Sequence, residues 1–406
     1  MQLLNRSLPL ALVLAAGASC VSTNTAAWNA YENGNYTAAM DRWMPLAEAG
    51  DADAQFLVGL MYDNGQGVLI DDRTAAQWYM QAASQGHPAA LNNLGLLHYR
   101  GDGVGQSFRM AAEYYSHAAE LGFDKAQNNL AVMFLYGRGV EQDSSQARDL
   151  FAQAADQGHV GAQERLGEMY LEGIGGASDP GTGAEWMQLA AKGGSTSAQY
   201  RLGRLYMEGE GVPTSHRLAL KWFEEAADQG HAESQYLAGV MFSEGYGVNA
   251  DDERAAEFFG SAADQGYVAA KANLGRMHLE GRGVVQNDTQ AAQLLYAAAL
   301  EGDAQAQYDL GLMLAKGRGV DQDLKRAVEL IRNAAESGLP VAQIKLGHFY
   351  EQGTHVWKDV SKAYVWYRMA QSNGSEAGKQ ELQRLVEGLS EYEIERGEKL
   401  FIQESK

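Results

Sequence analysis

Apolar residues in this chain fall at helical spacing, and the same spacing returns at a fixed interval. Between Ser195 and Gly230, Ala198, Leu202, Leu205 and Tyr206 lie at i, i+4, i+7 and i+8, one face of an α-helix. After a turn, Ala219, Trp222, Phe223, Ala226 and Ala227 mark the buried face of a second helix. The glycine that closes this segment recurs at Gly50, Gly86, Gly122, Gly158, Gly194, Gly230, Gly266, Gly302, Gly338 and Gly374, a step of 36 residues. Such a period predicts a helical solenoid, in which each helix–turn–helix unit buries its apolar face against its neighbours.

Other residue types keep the same phase. A glycine ends each first helix, from Gly65, Gly101 and Gly137 to Gly317 and Gly353, as a left-handed cap requires. Asp71, Ser107, Asp143, Asp179, Ser215, Asp251, Asn287, Asp323 and Asp359 then stand where a second helix needs an N-cap acceptor. A further glycine sits mid-helix at Gly59, Gly95, Gly167, Gly203, Gly239, Gly275, Gly311 and Gly347, with Ala131 in the remaining unit. Its propensity cost, about 1 kcal/mol, predicts close helix–helix approach in return.

The signatures Ala-Gln-x-x-Leu-Gly-x-x-Tyr, Gly-x-Gly-Val and Ala-x-x-Trp-Phe-x-x-Ala-Ala resemble Sel1-like repeats, relatives of the tetratricopeptide repeat. The resemblance covers nine units over residues 51–374. It implies an all-α, right-handed superhelical α-solenoid. Residues 27–50 and 375–406 flank the array as capping helices, read at Trp28–Tyr31, Tyr36–Ala49, Glu376–Leu389 and Glu391–Ile402. Two turns are irregular. The fourth expands through Gly173–Gly181, and in the ninth His355 replaces a glycine shortly before Trp357.

The N-terminus adds a setting. Arg6 precedes an apolar run, Leu8–Ala16, too short to span a bilayer as an ordinary helix, and Gly17, Ala18 and Ser19 precede Cys20, the chain's single cysteine. Residues 1–19 and Cys20 resemble a bacterial lipoprotein signal and its lipidated cysteine, although Gly17 stands where that pattern usually has Leu. Residues 20–26 then form a tether. An ordinary secretory signal with an incidental cysteine is the alternative. Val21 after the cysteine agrees with an exported, outer-membrane lipoprotein facing the periplasm. The net charge of −20 argues against nucleic acid and against an anionic membrane surface as a ligand, leaving the lipid anchor as the expected membrane contact.

Candidate chemistry is sparse. His87, His159 and His231 share one repeat position, and His98 and His278 replace the Tyr of the first helix, so all five read as structural. No metal-ligand spacing, P-loop, Gly-x-Ser-x-Gly or Ser-x-x-Lys occurs, and no catalytic residue, metal or cofactor is expected. The resemblance implies that first helices line the concave face. The position before the buried Leu there holds Asn93, Asn129, Arg165, Arg201, Asn273, Asp309 and Lys345, and the i+3 position adds Glu168, Arg204, Arg276 and His348. Such donors and acceptors suit an extended peptide or a glycan. The expected function is a non-catalytic scaffold for envelope proteins. A glycan- or exopolysaccharide-binding module is the alternative, for which Trp357 is a candidate. A β-lactamase-like or cell-wall hydrolase is the remaining one.

Overall fold

The computed structural model describes residues 25–404, all helices and turns with no strand among them. α1 (Thr25–Glu32) and α2 (Tyr36–Glu48) precede the repeats. The paired helices follow as α3 (Ala52–Asn64) with α4 (Asp72–Ser84), α5 (Pro88–Arg100) with α6 (Phe108–Glu120), and α7 (Asp124–Tyr136) with α8 (Ser144–Asp156). Next come α9 (Val160–Glu172) with α10 (Pro180–Lys192), α11 (Thr196–Glu208) and α12 (His216–Asp228), and α13 (Ala232–Glu244) with α14 (Asp252–Asp264). The last pairs are α15 (Val268–Glu280) with α16 (Asp288–Leu300), α17 (Ala304–Lys316) with α18 (Leu324–Glu336), and α19 (Pro340–Gln352) with α20 (Val360–Ser372). α21 (Glu376–Val386) and α22 (Glu391–Glu404) close the chain. α1 begins inside the stretch read as a tether, so Thr25 and Ala26 belong to the helix. α21 stops three residues short of the expected Leu389. The signal segment and Cys20 lie outside the described residues.

The helices gather into two compact units. One runs through Leu205 with Gly209–Pro213, and the other holds Tyr206–Glu208 and everything from Thr214. Within each, a first helix packs on its own second helix, and that second helix on the next first helix.

The turn chemistry is as the sequence dictates. All nine Asp, Ser and Asn caps accept a bond from a backbone N–H one turn into the second helix. The glycines ending the first helices are left-handed, with φ 68° at Gly65 and 66° at Gly317. The second glycine of Gly-x-Gly has a further role. A Cβ on Gly103, Gly139, Gly283 or Gly319 would collide with the backbone of the preceding repeat's second helix, at Asp72, Phe108, Asp252 and Asp288. His355 fills this place in the ninth turn and is the one non-glycine residue with positive φ, 64°, among the described residues.

The mid-helix glycines face large second-helix side chains. A Cβ on Gly95 would lie 2.6 Å from the Tyr115 ring, and one on Gly239 2.7 Å from Phe259. Tyr79, Tyr115, Phe151, Phe223 and Tyr367 at that second-helix position are fully buried. Burying each ring is worth about 2–3 kcal/mol, which outweighs the glycine's propensity cost. The aromatic stripe read as core is core: Trp222 and Trp366 are buried, and Trp78, Tyr114, Trp186 and Phe258 are half-buried beside it.

The glutamine of Ala-Gln joins one repeat to the next. Gln55, Gln127, Gln163, Gln199, Gln235, Gln307 and Gln343 each donate Nε2 to a carbonyl in the last turn of the preceding helix, at 3.0 to 3.4 Å. Each of these carbonyls also accepts the N–H of the closing glycine, at 2.8 to 3.1 Å, so the glutamine takes its second acceptor site. The glutamine Oε1 in turn accepts from the amide that follows the next second helix: Gln85 to Gln55 at 2.8 Å, Gln157 to Gln127 at 2.7 Å, Gln265 to Gln235 at 2.8 Å and Asn373 to Gln343 at 3.1 Å. The three repeat-position histidines also cap helices. Nδ1 of His87, His159 and His231 accepts the N–H of Ala90, Ala162 and Ser234 at 3.2, 3.0 and 3.2 Å.

Both ends of the array are covered. Trp28 packs edge-on against Trp43, with centroids 5.1 Å apart, and the Tyr31 hydroxyl donates to Gln66. At the other end Arg384 of α21 holds Glu351 through two nitrogens, at 2.5 and 2.8 Å, while the Tyr367 hydroxyl donates to the same carboxylate. The expanded fourth turn is held by Arg148, whose guanidinium lies 3.6 Å over the Tyr170 ring and donates to the Ala177 carbonyl.

Candidate interaction face on the first helices

The residues expected to line a groove divide into two groups. Asn93 and Asn129 are buried, with 6% and 9% of their surface exposed. Asn129 Nδ2 donates to Asn92 Oδ1 at 3.0 Å, and Asn92 Nδ2 donates to Asn93 Oδ1 at 3.2 Å. Asn128 adds a longer contact to Asn129 at 3.4 Å. These amides satisfy one another between α5 and α7, so the expectation that Asn93 and Asn129 form an open recognition ladder is corrected. Leu57 at the same repeat position is buried too.

The other candidates reach solvent. Arg165 is exposed and pairs with Glu168 at 2.8 Å. Burial pushes the Glu168 carboxyl up even so, because desolvation outweighs the neighbouring guanidinium. Arg201 and Arg204 on α11 are half-buried. In the second unit Arg276 donates to Asn273 Oδ1 within α15. Asp309 on α17 accepts from Gln305 at 3.2 Å on both oxygens, and burial raises its pKa against the pull of Arg276. Lys345 Nζ sits 5.3 Å over the Phe349 ring, and His348 Nε2 lies 3.4 Å from Glu381 of the terminal cap. Each unit therefore carries charged side chains at these first-helix positions, Arg165 held by Glu168 in one and Asp309 and His348 held by Gln305 and Glu381 in the other. Gln305 and Glu381 were not legible as members, because each joins through a packing partner outside the repeat position that was read.

Among the described residues no cluster of three or more His, Cys, Asp or Glu side chains is arranged to hold a metal, and no helix is long and apolar enough to cross a membrane.

The Sel1 repeat family model matches nine consecutive segments, 52–87 through 340–375. The chain belongs to the Sel1 repeat family. Among solved structures, a protective antigen of uropathogenic Escherichia coli strains displaying an SLR fold is 27% identical, with a TM-score of 0.67, covering 98% of this chain and 94% of that one. A Sel1 repeat protein from Oxalobacter formigenes is 30% identical, with a TM-score of 0.54, covering 86% of this chain and 94% of that one. A comparison with curated proteins found no match. Sel1 repeat proteins are generally protein-interaction scaffolds, and the fold is typically non-catalytic. That generality agrees with the first-helix positions described here, several of which carry solvent-reaching charge.

Proposed function

We propose that this Sel1 repeat protein is a non-catalytic scaffold of the bacterial cell envelope, holding a partner protein against the solvent-reaching part of its first-helix face. One observation carries the reading. Arg165, Arg201, Arg204, Arg276 and Lys345 reach solvent from first helices that each end at a left-handed glycine cap. A preorganised backbone bearing such side chains orders little on binding, so less entropy opposes association. The signal-like segment 1–19 with Cys20 supports an exported, lipid-anchored form at the outer membrane.

Two experiments test the halves separately. Cys20→Ala should move the protein from the membrane to the soluble fraction of the envelope; retention in the membrane would remove the anchor. Comparative affinity purification should recover a protein from the unaltered chain that Arg165→Glu and Arg276→Glu lose and that exposed second-helix variants, Asp149→Lys and Glu257→Lys, keep. Equal recovery from all four would reject the first-helix face.

A further inference from the structure

A notch of about 450 Å³ opens in the second unit between α16, α17 and the turn that leads into α18. Its floor is apolar, made by Leu310, Leu314 and Val320, and its rim is polar, with Thr289, Gln293 and Asp321. Tyr296 stands on one wall and keeps 40% of its surface exposed. Tyr296 is out of phase with the core. The same repeat position holds Met80, Ser116, Ala152, Gln188, Glu224, Gly260, Arg332 and Arg368, none aromatic. Two repeats earlier, Glu224 and Arg254 form an ion pair at 2.6 Å where this notch has Tyr296 and Arg326.

The lining selects the guest by elimination. Charge of either sign meets its like in the lining: a cation meets Arg326, which already lies 5.0 Å over the Tyr296 ring, and an anion meets Asp321 and Asp323, so the mixed charges of the three side chains favour neither sign strongly. A purely apolar group would strip water from Thr289, Gln293 and Asp321 and return no hydrogen bonds. What remains is a neutral group with one apolar face and many hydroxyls. We infer that this notch binds one or two rings of a neutral sugar, with C–H groups against Tyr296 and Val320 and hydroxyls on Gln293, Thr289 and Asp321. Its size lies in the range of ordinary ligand clefts, about 300–1,000 Å³. The site is distinct from the first-helix face and independent of what that face binds.

Saturation-transfer NMR on the purified full-length protein, in a detergent without a sugar headgroup, tests this with maltose, cellobiose and N-acetylglucosamine as probes. Glucuronate and Nα-acetyl-lysine methylamide serve as charged comparators. Transfer to the ring protons of a neutral sugar is expected, weakened about tenfold by Tyr296→Ser and unchanged by Tyr246→Ser, another exposed tyrosine. Unaltered melting would show that both variants fold. Absence of transfer to all three neutral sugars, transfer that survives Tyr296→Ser in full, or a stronger response from either charged probe would overturn the inference.

Discussion

At Gln307 the glutamine ladder leaves a buried oxygen without a donor. The Gln307 Nε2 donates to Ala299, but its Oε1 is buried without a partner. In four other repeats that oxygen accepts from Gln85, Gln157, Gln265 or Asn373, and the corresponding residue here is Ser337, too short to reach. The backbone is already suitable: Ser337 has φ −72° and ψ 3°, against −83° and 1° at Gln157. Ser337→Gln should therefore add the missing donor. Satisfying a buried acceptor recovers about 1–3 kcal/mol, and ordering a glutamine side chain costs up to about 1.5–2 kcal/mol. Because Ser337 is exposed and its replacement is held at one end only, the net expectation is about 1 kcal/mol of stabilisation. Native-state hydrogen exchange reads this locally, as slower exchange in α17 and α18, where a repeat array need not unfold as one unit. Ser337→Glu has the same length but no N–H to donate, and it should give no gain. Equal effects from Gln and Glu, or no protection from Gln, would refute the reasoning.

Two further predictions rest on the caps and the mid-helix glycines. Burial pushes the imidazoles of His159 and His231 down, with Asp124 and Glu233 nearby pulling the other way and Lys125 reinforcing the fall at His159. A lowered folded pKa means that the unfolded chain binds the proton more readily. This stability is complete above about pH 6.5 and is lost as pH falls through the folded values. His159→Asn with His231→Asn keeps both caps without titration, so its melting temperature should fall less than the parent's between pH 7.5 and pH 5; parallel profiles would exclude the histidines. Gly95→Ala places a Cβ 2.6 Å from the Tyr115 ring and should cost about 1–3 kcal/mol in urea denaturation; a neutral or stabilising result would mean that the ring moves freely.

The period, the caps and the glycine turns were legible because each is a local requirement of one helix or one turn. The glutamine ladder was not. Gln55 meets Ala47 and Gln85 only after three helices have packed, and no spacing within one helix announces that. The histidine caps were legible as structural by their phase, but not as acceptors, since that depends on one ring nitrogen. Asn93 and Asn129 misled for the opposite reason. Polarity at a helix position predicts exposure, yet these two are buried and the neighbouring Asn92 bonds to both. Arg165 follows the simple expectation and stays exposed, paired with Glu168 on its own helix.

The central claim is that the first-helix face, and not the second-helix face, receives a protein. Site-specific photo-crosslinking in cells tests it most directly. The probe would replace Arg165, Arg276 or Lys345, with Asp149 and Glu257 on exposed second-helix surfaces as comparators. One dominant protein adduct from the first-helix sites, absent from the comparators, is the result expected of a scaffold. Adducts of equal yield from both sets, or none from a folded and abundant protein, would contradict it.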